Sequence, residues 1–203
     1  MLLMISGALK PAVTRLINPV AGFALRIGLT PNSVTLLGAL GLITSAIYFY
    51  SSERYFVGTL VITFFALSDL FDGAMARISE KGASAWGGFL DSTIDRATDS
   101  AIVISLALPL IRNEDSLSFI ALIALVTGIL IPYIRAKAES FHIPCDVGVA
   151  ERTERLIIIL VAAGFHGLGV PYILAVGFWL LALLGVLTVI QRLLVVRKGL
   201  RHS

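Results

Sequence analysis

From Pro171 to Ile190 the chain reads PYILAVGFWLLALLGVLTVI, twenty residues without a charge. A helix of that length rises about 30 Å, the thickness of a bilayer's hydrocarbon core. No feature constrains folding more, because lipid leaves each backbone polar group to be satisfied inside its own helix. Apolar segments of near-spanning length recur at 33–51, 55–78, 86–111, 116–138, 154–170 and 171–194. Gly167, Gly169 and Pro171 interrupt the last two and predict a tight turn there. The expected fold class is all-α, a polytopic integral membrane protein with six transmembrane helices.

Charge content agrees. Charged residues make up 14% of the 203 and hydrophobic ones 57%, against about 25% charged in soluble domains. A soluble fold of this make-up lacks the polar residues to cover its surface, so soluble classes, nucleic-acid binders among them, are excluded. No linker or low-complexity tract divides the chain, so residues 1–203 are expected to form a single domain. The lone Cys145 excludes an intrachain disulfide and lacks metal-ligand spacing. MLLMISGALK has no basic region ahead of its apolar stretch, so no cleavable signal peptide is expected.

Residues 8–28 differ from the spans. Leu9, Leu16, Val20, Phe23 and Ile27 recur at spacings of three to four or close multiples, with Lys10, Arg15 and Arg26 among them. That pattern predicts an interfacial amphipathic helix, divided or kinked at Pro11 and Pro19; the alternative is an arm packed on the protein. With both termini on one side, that side holds fourteen of the sixteen Lys and Arg, and the other only Arg54 and Arg112. The positive-inside rule then puts both termini in the cytoplasm of a multi-pass protein of the cell (plasma) membrane.

Against this background Asp69, Asp72, Asp91 and Asp95 are conspicuous. One acidic residue at a span's centre costs about 2.5–3.5 kcal/mol, so four cost on the order of 10 kcal/mol, less near helix ends. Asp69 and Asp72 are three apart and Asp91 and Asp95 four apart, so each pair shares a helical face, and the intervening turn lets the pairs converge. Oxygen-only ligands select hard cations such as Mg²⁺ or Mn²⁺, and four carboxylates suit two ions of the kind that clamp phosphoryl chemistry. The competing reading is mutual neutralisation, through Asp72–Arg77 or Asp95–Arg96–Asp99. Gly73 and Ala76 remove bulk, which serves a ligand or a helix seam equally, and Arg77 offers a fork of donors suited to phosphate.

Asp69-x-x-Asp72-Gly73-x-x-Ala76-Arg77 followed by Gly87-x-x-x-Asp91-x-x-x-Asp95 resembles the signature of the CDP-alcohol phosphotransferase family. The resemblance implies a six-helix membrane enzyme, usually a homodimer, that transfers a phosphatidyl group from a CDP-linked lipid to an alcohol and releases CMP. It implies that Asp69, Asp72, Asp91 and Asp95 bind metal, and that Asp95 is also the general base on the acceptor hydroxyl. Gly73, Arg77 and Ser84 would contact the CDP moiety. Thr30-Pro31-Asn32-Ser33-Val34-Thr35 is similar to a further family element that helps hold the nucleotide, through Asn32 and Thr35. From the residues alone the same segment reads as a helix start, with Thr30 or Asn32 as cap and Pro31 in the first turn.

The acceptor is read from later cations. Arg135, Lys137, Arg155 and Arg192 suit a phosphate monoester on the acceptor; snorkelling and pairing with Glu139, Glu151 or Glu154 are the competing readings. YIRAKAES, GVAERTERL and QRLLVVRK resemble the actinobacterial phosphatidylinositol-phosphate synthase branch of the family. That implies CDP-diacylglycerol and inositol 1-phosphate as substrates, with membrane lipid around the enzyme. Phosphatidylglycerophosphate synthases and archaeal enzymes making the ether-lipid equivalent share the aspartate motif and remain alternatives. A cation-coupled transporter is the alternative of a different class, disfavoured by Gly73 and Arg77 beside the carboxylates.

Overall fold

The computed structural model describes residues 17–79, 82 and 84–201, and among these all regular structure is helical. Residues 8–16 of the expected interfacial helix lie outside the described residues, as do Lys10, Arg15 and Lys81. Residues 17–26 form α1, and Gly28, at φ +89°, turns the chain after it. α2 is Pro31–Ser45, continued by a π-helical turn over Ala46–Tyr50. α3 (Tyr55–Ala66) and α4 (Ser68–Ile78) are separated only at Leu67. α5 (Ala85–Arg112), α6 (Leu117–Glu139), α7 (Arg152–Gly167) and α8 (Ile173–Gly199) follow.

Local chemistry explains several ends. Thr30 caps α2: its Oγ1 accepts from Ser33 N–H at 3.2 Å, while Ser33 Oγ accepts from Thr30 N–H at 2.9 Å. This is a capping box with Ser in place of the usual Glu, and Pro31 takes the first helical position, where no N–H is needed. Asp115 Oδ1 accepts from Leu117 N–H at 2.9 Å and opens α6. The expected turn between the last two long helices falls at residues 168–172, with Gly169 at φ +85°.

Four helical stretches are long and apolar enough to cross a membrane: Pro31–Tyr50, Tyr55–Ile78, Leu117–Glu139 and Ile173–Gly199. They make this a multi-pass membrane protein. The other two expected spans differ for physical reasons. α5 has 28 residues, about 42 Å, but carries Asp91, Asp95, Arg96 and Asp99. α7 has 16, about 24 Å. On α8 Leu180, Leu183, Leu187 and Leu194 are exposed while Leu174, Phe178, Leu181 and Thr188 are buried, as suits a helix whose solvent is lipid.

The chain divides into two compact units, Met1–Ile43 with Ile62–Ala97, and Thr44–Val61 with Thr98–Ser203. In the first, Ile17 and Ala21 of α1 pack on Ala74 and Met75 of α4, with Val34 and Phe71 beside them. Here α2 approaches α4 so closely that a Cβ on Gly38 would collide with the Ser68 hydroxyl. α1 thus buries Ile17 and Ala21 and exposes Val20 and Phe23, with Ile27 exposed in the turn that follows. In the second unit α8 packs against α6 and α7. A Cβ on Gly185 would collide with Thr127 of α6, so glycine sets this seam's spacing.

Candidate active site

The first unit holds the acidic motif. α4 carries Asp69 and Asp72 and the first half of α5 carries Asp91 and Asp95. Asp72 is buried, Asp69 and Asp95 are half-buried and Asp91 is exposed. Asp69 and Asp91 lie near enough to Asp72 to act on its charge, so carboxylates from both helices do come together. Thr35 of α2 donates its hydroxyl proton to Asp72 Oδ2 at 2.5 Å. Asp95 meets Arg96 at 3.5 Å, a long contact between sequence neighbours. Asp99, read above as a possible third member of that group, pairs with Arg152.

Among the described residues, no three His, Cys, Asp or Glu side chains are drawn close enough to hold a metal ion as they stand. The donor chemistry nevertheless fits a hard divalent cation. Carboxylate oxygens are gathered within reach of one another's charge, and such ligands are those that Mg²⁺ and Mn²⁺ take.

The residues expected at the nucleotide fall in the same unit. A Cβ on Gly73 would lie 3.5 Å from Arg77 Nη1, so the glycine leaves backbone open beside the guanidinium. Ser84 caps α5, accepting from Gly87 N–H at 2.9 Å. A Cβ on Gly87 would lie 3.1 Å from both Asn32 Oδ1 and Ser84 Oγ, which puts Asn32, Ser84 and Gly87 together at the first turn of α5. Amide N–H groups at a helix start suit an anionic phosphate. Thr35 is buried on Asp72 instead.

The basic candidates belong to the second unit. Arg135 is exposed and held by two carboxylates, Glu139 at 3.0 Å and Asp146 at 2.7 Å. Arg192 donates from Nε to Val147 O at 2.9 Å and from Nη1 to Ile131 O. Arg135, Glu139 and Asp146 lie within electrostatic reach of Arg192, so Arg135 and Arg192 share one locality. Lys137 stands apart, with Nζ 5.0 Å over the Phe141 ring; two residues along a helix is the wrong spacing to share a face with Arg135. Arg155 is half-buried one turn into α7.

Two features have no counterpart among the expected site residues. The loop 140–151 is strapped down: Asp146 binds Arg135, Val147 O binds Arg192, and Val149 N–H donates to Thr188 Oγ1 at 3.3 Å. Gly148 lies so close to Thr188 that a Cβ there would collide with its methyl group. Arg152 Nε also meets the Asp99 carboxylate at 3.2 and 3.4 Å, joining the start of α7 to α5. No sequence signal marks either, apart from Asp99 continuing the i, i+4 series of Asp91 and Asp95.

A family model described as CDP-alcohol phosphatidyltransferase matches residues 28–196. The phosphatidylinositol phosphate synthase of Streptomyces avermitilis is 41% identical over 204 residues, covering 96% of this chain and 83% of that protein. That of Mycolicibacterium smegmatis is 40% identical over 195 residues, covering 94% and 87%. Crystal structures of the Mycobacterium tuberculosis phosphatidylinositol phosphate synthase are similar in fold. The one with CDP-DAG bound superposes with a TM-score of 0.85 at 40% identity, covering 90% of this chain and 94% of that one. The complex with manganese and citrate also gives 0.85 at 40% identity, covering 89% and 88%.

Proposed function

The chain belongs to the CDP-alcohol phosphatidyltransferase family, and from that premise we propose that it is a phosphatidylinositol-phosphate synthase. It transfers the phosphatidyl group of CDP-diacylglycerol to inositol 1-phosphate and releases CMP, a step of phospholipid biosynthesis. The observation that carries the reading is the gathering of the α4 and α5 carboxylates in one unit with Gly73 and Arg77. Such an arrangement suits a cation-bridged pyrophosphate better than an ion path. Relatives named for this reaction, at about 40% identity over nearly the whole chain, favour inositol 1-phosphate over glycerol 3-phosphate.

Asp69, Asp72, Asp91 and Asp95 hold Mg²⁺ or Mn²⁺ in this reading, as two ions. When bound, these ions offset the pyrophosphate's negative charge and lower the pKa of the acceptor hydroxyl. Asn32, Gly73, Arg77 and Ser84 bind and orient the CDP moiety, the arginine by its fork of donors. Asp95 accepts the proton of the attacking hydroxyl as the acceptor oxygen bonds to phosphorus. The phosphoanhydride bond to CMP breaks, and CMP leaves with the electron pair. Arg135, Lys137, Arg155 and Arg192 bind the acceptor's phosphate. Arg135 trades a carboxylate for it, while Arg192, anchored to two carbonyls, keeps further N–H donors for it.

The reading extends to architecture. α5 and α7 complete six spans, α5 with its charged turns towards the cytoplasm, and residues 17–28 lie in the interface with Val20, Phe23 and Ile27 towards lipid. Both termini face the cytoplasm of the plasma membrane, the two compact units act as one domain, and the enzyme is a homodimer.

One assay tests the proposal: purified protein with CDP-diacylglycerol, Mg²⁺ or Mn²⁺ and each acceptor, with CMP as the readout. CMP release that depends on inositol 1-phosphate is expected. Release with glycerol 3-phosphate alone would overturn the acceptor, and no release with any acceptor would overturn the enzyme.

A further inference from the structure

We propose that Thr35 is a positioning residue for Asp72 and not a contact to the nucleotide: its hydroxyl fixes one carboxylate oxygen and so sets the direction in which the other meets a divalent cation. The inference rests on the reading of the four aspartates as metal ligands.

Burial is the first argument. Thr35 and Asp72 are each 7% exposed and, among the described residues, are the only buried polar or charged side chains of their unit. They are 37 residues apart in sequence and partners of one another. A buried polar group needs such a partner, and a threonine with so little surface has almost none to offer a nucleotide.

The hydrogen bond has a direction. Thr35 Oγ1 lies 3.1 Å from Pro31 O and 2.5 Å from Asp72 Oδ2, yet a hydroxyl has only one proton to give. A carboxylate is the stronger acceptor, because the bond is then charge-assisted. The carboxylate oxygen that accepts this bond is oriented by it; the Gly73 backbone N–H also bonds to the carboxylate, whose roughly four lone-pair sites still leave capacity for an ion.

Rigidity is the third argument. The Thr30–Ser33 capping box fixes the start of α2, Val34 packs into the core against α1 and α4, and Thr35 is β-branched, which restricts χ1 in a helix. The hydroxyl is thus held by the fold rather than by its own bond. Partners of this kind behind a ligating side chain typically contribute about 10–100-fold to metal affinity.

The test is Mn²⁺ binding to the full-length protein in detergent, without lipid substrate, followed by electron paramagnetic resonance. Thr35→Val, which removes the hydroxyl at nearly constant shape, is expected to weaken Mn²⁺ binding about 10–100-fold. Thr35→Ser, which keeps the hydroxyl, is expected to stay near wild type. At saturating Mn²⁺ the KM for CDP-diacylglycerol is expected to be unchanged in Thr35→Val. If that variant binds Mn²⁺ like wild type, or if its KM for CDP-diacylglycerol rises at saturating metal, the positioning role is overturned. Thr35→Ala carries the same comparison if the valine variant does not fold. Asp72→Asn separates the two levels: if it binds Mn²⁺ as well as wild type, the aspartate-ligand reading fails, whatever Thr35 does.

Discussion

In the unit of Met1–Ile43 with Ile62–Ala97, Asp69 and Asp91 act on the charge of Asp72 while Asp95 meets Arg96; in that of Thr44–Val61 with Thr98–Ser203, cations are matched to acceptors. Asp72 is buried and accepts a hydrogen bond from the neutral hydroxyl of Thr35. Arg135 is held by Glu139 and Asp146, Arg152 by Asp99, and Arg192 by two backbone carbonyls. Like charges brought together are costly and are relieved by a cation from outside. A guanidinium anchored to backbone, as Arg192 is, starts from a fixed orientation, so that less entropy is lost on binding. A cation would thus relieve the first unit, whereas the second already matches its arginines to acceptors.

The sharpest way to break this contrast is at the carboxylates. Asp72→Asn is expected to reduce turnover by at least about 10³-fold, on the scale of lost electrostatic catalysis, and to weaken Mn²⁺ binding in the same preparation. Asp95→Asn is expected to lower turnover about 10²–10⁴-fold, the range for a lost general base, while CDP-diacylglycerol still binds in equilibrium titration. A chelator should stop CMP release, and Mg²⁺ or Mn²⁺ should restore it. Activity that survives chelation would overturn the metal-binding reading of the four aspartates.

The basic unit should respond in KM. Arg192→Ala is expected to raise the KM for inositol 1-phosphate about 10–100-fold, the worth of one to two charge-assisted bonds. The KM for CDP-diacylglycerol should stay within about twofold. Because Arg192 also ties the loop 140–151 to α6, Arg192→Lys is the discriminating partner. Lysine keeps the charge but not the fork, so a loss near that of alanine points to the two-carbonyl anchor, and recovery points to charge alone.

Local signals explain which parts of this contrast were legible. Apolar runs marked the long helices because lipid demands them, and the three- and four-residue spacings of the aspartates placed each pair on one face. The π-helical turn at Ala46–Tyr50 and the break at Leu67 carry no Gly or Pro to announce them. Arg135 and Lys137 looked equivalent as cations, yet one faces Asp146 and the other Phe141, since their angular positions on α6 differ. The Arg152–Asp99 pair spans 53 residues and depends on how α5 and α7 pack, which no window of sequence contains. The Thr35–Asp72 bond spans 37 residues and is hidden from the sequence for the same reason.

That cross-helix pair gives the next test. Arg152 sits in the first turn of α7, where the helix dipole disfavours a cation, so its position is explained by Asp99 rather than by its own helix. Both partners are partly exposed, 25% and 28%, which limits the pair to about 1 kcal/mol. Arg152→Gln is expected to raise the acceptor KM severalfold through Arg155, one turn further on. An Asp99→Arg, Arg152→Asp double exchange should recover part of that loss. If the exchange recovers nothing while Arg152→Lys behaves like wild type, Arg152 touches the acceptor itself.

The smallest effect concerns how the two units begin their helices. α2 starts on a reciprocal Thr30–Ser33 box, whereas Glu151, at the start of α7, makes no side-chain capping bond. Thr30→Ala should therefore cost about 1 kcal/mol, read as a drop of about 2–4 °C in Tm. Pro31 and the partly buried Val34, packed on the α1–α4 core, still hold α2, so substrate KM values should not move. Glu151→Ala should stay within about 0.5 kcal/mol, because the Arg152–Asp99 tether, not a cap, fixes that helix start. Equal losses from the two substitutions would mean that α7 depends on its cap residue after all, and the tether would then lose its claim to position Arg155.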